Sequence, residues 1–153
     1  MMDRFTQSYD KSGDIELIEV GCFFPEIETK SRFLFGIWLR KYSELRLDDG
    51  RAFAVTFVQD FWKMLQKNPT TKKYVEYMYE YNPRKFPLKQ VGLQYIGLKI
   101  AFWDKNNNRP PIPYLAQIAF FDEKFHYYQA DPETQALRLV LVESFEEALA
   151  KVN

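Results

Sequence analysis

The sequence predicts an α+β fold: a mainly antiparallel sheet of about six or seven strands with two or three helices, in the order strands, one or two helices, strands, helix. Three observations predict it. Apolar residues recur every second position on both sides of a middle segment whose period lengthens to three or four residues. Turn residues separate the later periodic runs by only a few positions, and a capping sequence opens a final amphipathic stretch. Connections this short join antiparallel neighbours, because a parallel crossover needs a dozen residues or more.

From the N-terminal side, Ile15 to Phe24 sets Ile18, Val20, Cys22 and Phe24 on one parity, a half-buried strand that Pro25 ends. Phe33, Phe35, Ile37 and Leu39 alternate with Leu34, Gly36, Trp38 and Arg40, so both faces are largely apolar. A helix from Ser31 could also be drawn there. Strand is preferred because Asp48-Asp49-Gly50 supplies turn chemistry before a second alternating run, Phe53, Val55 and Phe57, which together make a hairpin. From about Thr56, Phe57, Phe61 and Met64 or Leu65 follow the helical period up to Pro69. Thr70 or Thr71 then caps a second helix with a stripe of Tyr74, Met78 and Tyr81 opposite Lys72, Glu76 and Glu80, stopped by Asn82-Pro83.

Strand character returns at Gln94, Ile96, Leu98, Ile100 and Phe102, followed by a polar loop from Lys105 to Pro113. Leu115–Phe121, Phe125–Gln129 and Ala136–Val142 read as three strands of a meander, joined by Asp122-Glu123 and by Asp131-Pro132-Glu133-Thr134. Ser144 with Glu147 three residues later is a capping box, and Phe145, Leu149 and Val152 share one side of the helix it starts.

A chain of 153 residues and 18.3 kDa suits one domain, residues 1–153. With 46% hydrophobic and 18% aromatic residues it can build a core, which excludes a disordered chain. The 21 basic and 21 acidic residues cancel, so any polyanion site is a local patch. A single cysteine, Cys22, forms no internal disulfide, and the N-terminal stretch lacks an apolar signal segment, so the expected location is cytoplasmic, with no membrane partner.

Catalytic vocabulary is sparse, and no catalytic residue, metal ligand or cofactor is assigned. His126 is the only histidine, in a strand between Phe125 and Tyr127, and a Cys22–His126 dyad sets an apolar-parity thiol against it. Gly92 to Lys99 imitates a phosphate loop, but Leu98 separates glycine from lysine and the intervening residues alternate as a strand does.

Charge is instead segregated. Residues 1–29 carry 2 basic and 7 acidic side chains, 63–89 carry 7 and 2, and 122–151 carry 3 and 7. The basic block holds Tyr74, Tyr77, Tyr79 and Tyr81 and ends in Arg84-Lys85. Tyr and Arg anchor protein interfaces, and the same mixture binds single-stranded nucleic acid by stacking and phosphate contact. The plainer reading packs the tyrosines on the sheet and leaves the lysines solvated. Tyr77 and Tyr79 are two apart on a helix, about 200° in angle, so one of them must leave the core. Tyr77, Tyr79, Arg84 and Lys85 form the first candidate surface. Trp103, Asp104 and Arg109, in a loop longer than a strand connection requires, form the second.

The closing stretch, Phe120-Phe121-Asp122-Glu123-Lys124-Phe125-His126-Tyr127-Tyr128 and then Leu139-Val140-Leu141-Val142-Glu143-Ser144-Phe145-Glu146-Glu147-Ala148-Leu149, is similar to the C-terminal hairpin and helix of SUKH-type and related bacterial toxin-immunity proteins. That resemblance implies a non-catalytic domain that binds and neutralises a cognate toxin. The element order also resembles the Whirly arrangement, which implies a single-stranded nucleic-acid scaffold and carries over no residues. A small enzyme whose carboxylates and tyrosines converge on a cleft is the third class.

Overall fold

The computed structural model describes residues 5, 13–23 and 33–152. Phe24, Pro25 and Ser31 lie outside the described residues. The elements are β1 (Ile15–Phe23), β2 (Leu34–Lys41), α1 (Leu47–Lys67), α2 (Pro69–Tyr81), a 3₁₀ turn (Leu93–Tyr95), β3 (Ile96–Phe102), β4 (Gln117–Phe121), β5 (Lys124–Ala130), β6 (Leu137–Ser144) and α3 (Phe145–Val152). Six strands form one sheet in sequence order, antiparallel throughout except for the β2–β3 pair, which is parallel. The expected class, α+β with strands, helices, strands, helix, holds.

Alternation is clearest where one face meets the helices. Ile37 and Leu39 of β2, Ile96, Leu98, Ile100 and Phe102 of β3, Ile118 and Phe120 of β4, and Phe125 and Tyr127 of β5 are buried against α1 and its neighbours. Helix α1 answers with Ala54, Val55, Val58, Phe61 and Leu65 at the helical period, and the Phe5 ring packs edge-on to Phe57 at 5.2 Å. Full burial of side chains this size is worth about 1.5–3 kcal/mol each, which makes the helix face the main source of stability.

Four expectations are corrected. The segment from Leu47 is helix and not the second strand of a hairpin. Asp48 and Asp49 occupy its first turn, where carboxylates favour the helix dipole, and Gly50 sits inside it against Leu115. The 41–96 stretch is therefore a helical crossover, which is why β2 and β3 run parallel. Asn68, rather than Thr70 or Thr71, caps α2: its Oδ1 accepts from Thr71 N at 3.0 Å, and Pro69 follows at the first helical position.

The buried face of α2 is marked by Val75, while Tyr74 and Tyr81 stand at 39% and 72% exposure. On β1 a bulge between Leu17 and Glu19 leaves Ile18 as the extra residue, and Val20 and Cys22, though opposite Ile37 and Phe35 in register, are exposed on this edge strand and not half-buried.

The C-terminal half follows the reading. Asp122 and Glu123 both take positive φ, as a two-residue type I′ hairpin requires. In the capping box Ser144 Oγ accepts from Glu147 N at 3.1 Å, and Glu147 Oε2 accepts from Ser144 N at 2.8 Å. Among the described residues no helix is long and apolar enough to cross a membrane.

Candidate interaction face

The described helices cover one face of the sheet, and the other face, helix-free among the described residues, carries the opposite parity. Strand register lines up Glu19, Trp38, Lys99, Ala119, His126 and Val142, each directly opposite the next, in one row across all six strands. A parallel row sets Gly21, Gly36 and Gly97 side by side.

Small residues beside large ones make a trough. Gly36, Gly97 and Ala119 floor an apolar groove of about 270 Å³ walled by Phe23, Leu34, Trp38 and Phe121. The floor has to be small, since a Cβ on Gly36 would overlap the Phe23 ring and one on Gly97 would lie 2.9 Å from Leu34 Cδ1. Glu19 and Lys99 stand at the rim. Lys99 Nζ lies 4.2 Å from the centroid of the Trp38 ring, a cation–π contact, and no carboxylate among the described residues pairs with it.

Three buried side-chain nitrogens of the described residues lack a hydrogen-bond partner, and all three belong to this face: Trp38 Nε1, Trp103 Nε1 and His126 Nδ1. Buried polar groups are nearly always paired, so a concentration on one face is unusual. The His126 ring stacks on Phe121 at 4.1 Å and 6°, and burial lowers its pKa, which keeps the imidazole neutral at neutral pH. Cys22 lies on β1 and pairs with Phe35, four strands from His126 and on the other parity, so the two cannot form a dyad.

The residues singled out in sequence separate into two places. Tyr77 is 62% exposed and stacks on Tyr81 with centroids 5.9 Å apart and planes at 9°, whereas Tyr79 is half-buried, so one of the pair does leave the core. Arg84 and Lys85 are exposed in the turn after α2, which Phe86 anchors by packing on Phe33 at 4.3 Å and on Tyr95. Trp103, Asp104 and Arg109 lie beyond the far end of β3.

Asp104 Oδ1 accepts from Asn106 N and Asn108 N, and Arg109 Nη1 donates to Gln135 O at 2.9 Å, so both shape loops. Trp103 joins the helix-free face, where the Arg40 guanidinium lies 5.5 Å from its ring centroid. The structure thus brings Trp103 to the groove's face and leaves the Tyr77–Lys85 group on the helix layer.

Sequence reasoning missed Phe23, Leu34, Gly36, Trp38, Gly97, Lys99 and Phe121 as a group. The available signal was the second apolar parity of β2, since a strand face turned to water has no need of Leu34 and Trp38. Comparison of the chain with family models, with curated proteins and with solved structures finds no match.

Proposed function

We propose that this chain is a non-catalytic protein-binding domain that recognises its partner with the helix-free face of the sheet, and that in its most specific form it is a cytoplasmic immunity protein neutralising a cognate bacterial toxin. The observation that supports binding is the apolar groove over Gly36 and Gly97 between Phe23, Leu34, Trp38 and Phe121. A concave apolar slot with aromatic walls receives an anchor side chain well, because such anchors lose little rotamer entropy and exclude water fully. Rim charges such as Glu19 and Lys99 would set orientation and encounter rate more than affinity.

The toxin identity rests on the C-terminal resemblance alone. Co-expression with the products of the adjacent reading frames tests it: a stoichiometric complex and restored growth with one of them are expected, and absence of both rejects the toxin reading.

A second reading, single-stranded nucleic-acid binding, draws on the exposed Tyr77–Tyr81 stack beside Lys73 and Arg84. It requires affinity that falls steeply with salt and drops on Tyr77→Ala or Arg84→Ala. Binding indifferent to both rejects it.

A further inference from the structure

Leu137, Leu139, Val140 and Val142 are 36%, 50%, 42% and 41% exposed, and all four belong to β6. This strand is the last of the sheet, so its outer row of N–H and C=O groups faces no strand among the described residues. Helix α3 does not cover that row, since it packs back over β5 and β6 and against α1. Edges of this kind are ordinarily blunted with Lys, Pro or inward charge. The charges of β6 are engaged elsewhere: Arg138 pairs with Asp131 at 3.1 Å, and Glu143 is buried with Arg51. At the other edge, β1 exposes Glu16 and Glu19.

We propose that β6 pairs antiparallel with β6 of a second copy about a two-fold axis, joining two six-stranded sheets into one. The register of β6 favours this pairing. In a regular strand, a two-fold placed between two residues sets each side chain opposite one of the other parity, and the faces mismatch. Val140 changes this, because it is the extra residue of a bulge: Tyr127 faces Leu141 and Tyr128 faces Leu139. Leu139 and Val142 therefore share the helix-free face, and Arg138 and Glu143 share the helix face.

The register centred between Val140 and Leu141 uses all eight residues of the strand and matches faces at every pair outside the bulge. Leu137 meets Ser144 of the second copy, Arg138 meets Glu143, Leu139 meets Val142, and no like charges oppose. Helices of both copies then lie on one side and both grooves on the other. One strand pair covers less than the about 1,200 Å² of a standard interface, so the dimer dissociates in the micromolar range.

Sedimentation equilibrium of the full chain across a micromolar concentration series tests this. The wild type shifts from monomer to dimer, Leu139→Lys moves the transition to at least about tenfold higher concentration, and Val20→Lys on the opposite edge leaves it unchanged. A wild type that stays monomeric, or a dimer that Leu139→Lys leaves intact, overturns the proposal. In a Cys22→Ser background, Leu139→Cys with Val142→Cys gives a covalent dimer on oxidation, because directly opposed Cβ atoms lie within disulfide reach. Failure of that variant to cross-link also overturns it.

Discussion

Arg51 and Glu143, 92 positions apart in sequence, form a buried ion pair with Nε and Oε1 at 2.6 Å. Glu143 Oε1 also accepts from the Tyr127 hydroxyl at 2.8 Å, Oε2 accepts from Lys151 Nζ at 2.7 Å, and Arg51 Nη1 donates to Asp48 at 2.7 Å. One carboxylate on β6 therefore ties the start of α1, strand β5 and the end of α3 together. Burial alone would raise the pKa of Glu143, but the hydrogen bonds from Arg51, Lys151 and Tyr127 outweigh it and hold the carboxyl below its usual range.

Glu143→Ala leaves the buried Arg51 guanidinium with only the exposed Asp48 carboxylate and the buried Tyr127 hydroxyl with no acceptor, so it costs about 3 kcal/mol, whereas Arg51→Met with Glu143→Leu costs less because no buried charge remains. Urea unfolding of the two variants checks this. A double variant less stable than Glu143→Ala would show that the pair stabilises the fold in its own right.

Stability falls with acid in two windows. The His126 pKa is lowered by burial, so the unfolded chain takes up a proton near its ordinary value of about 6.5 before the folded chain does. Stability is full above that pH and declines below it until the folded-state value is passed. The depressed Glu143 carboxyl contributes stability above about pH 4.3, and this is lost as pH drops through its lower folded value. His126→Phe, which keeps the ring against Phe121, abolishes the first decline and leaves the second. Urea melts across the acid range would refute this if both proteins lost stability in parallel from neutral pH downward.

Gly36→Ala drives the new methyl into the Phe23 ring. The ring must leave its seat, at about 1–3 kcal/mol by analogy with overpacked cores, and the groove loses a wall. Thermal unfolding checks the cost. A variant as stable as the wild type would mean that Phe23 is not held over the glycine.

Legibility differed by element for physical reasons. Strands β3 to β5 and the capping box are legible because each strand buries one clean parity and the box satisfies local backbone donors, and local chemistry decides both. The helical period from Thr56 onward is legible, but the first half of α1 reads as turn and strand because Phe53, Val55 and Phe57 satisfy a two-residue period while Phe53, Phe57 and Phe61 satisfy a four-residue one. Asp-Asp-Gly serves a turn and a helix first turn alike, so only packing on the sheet decides.

In strand β1 the shared parity of Val20 and Cys22 is legible, but the bulge at Ile18 and the exposure that comes with an edge position have no composition signature. The groove was invisible for a different reason. Gly36 and Gly97 become neighbours only through the parallel β2–β3 register, which itself follows from the unforeseen helical crossover.

Two surfaces, the groove and the tyrosine stack of α2, compete for the partner. With the co-purified neighbouring gene product as the probe, titration against the wild type, Trp38→Ala and Tyr77→Ala separates the two surfaces. Loss of the Trp38 wall from the groove is expected to weaken binding by at least about 2 kcal/mol, roughly thirtyfold, while Tyr77→Ala changes it little. Undiminished affinity for Trp38→Ala, with loss confined to Tyr77→Ala, would contradict recognition by the helix-free face.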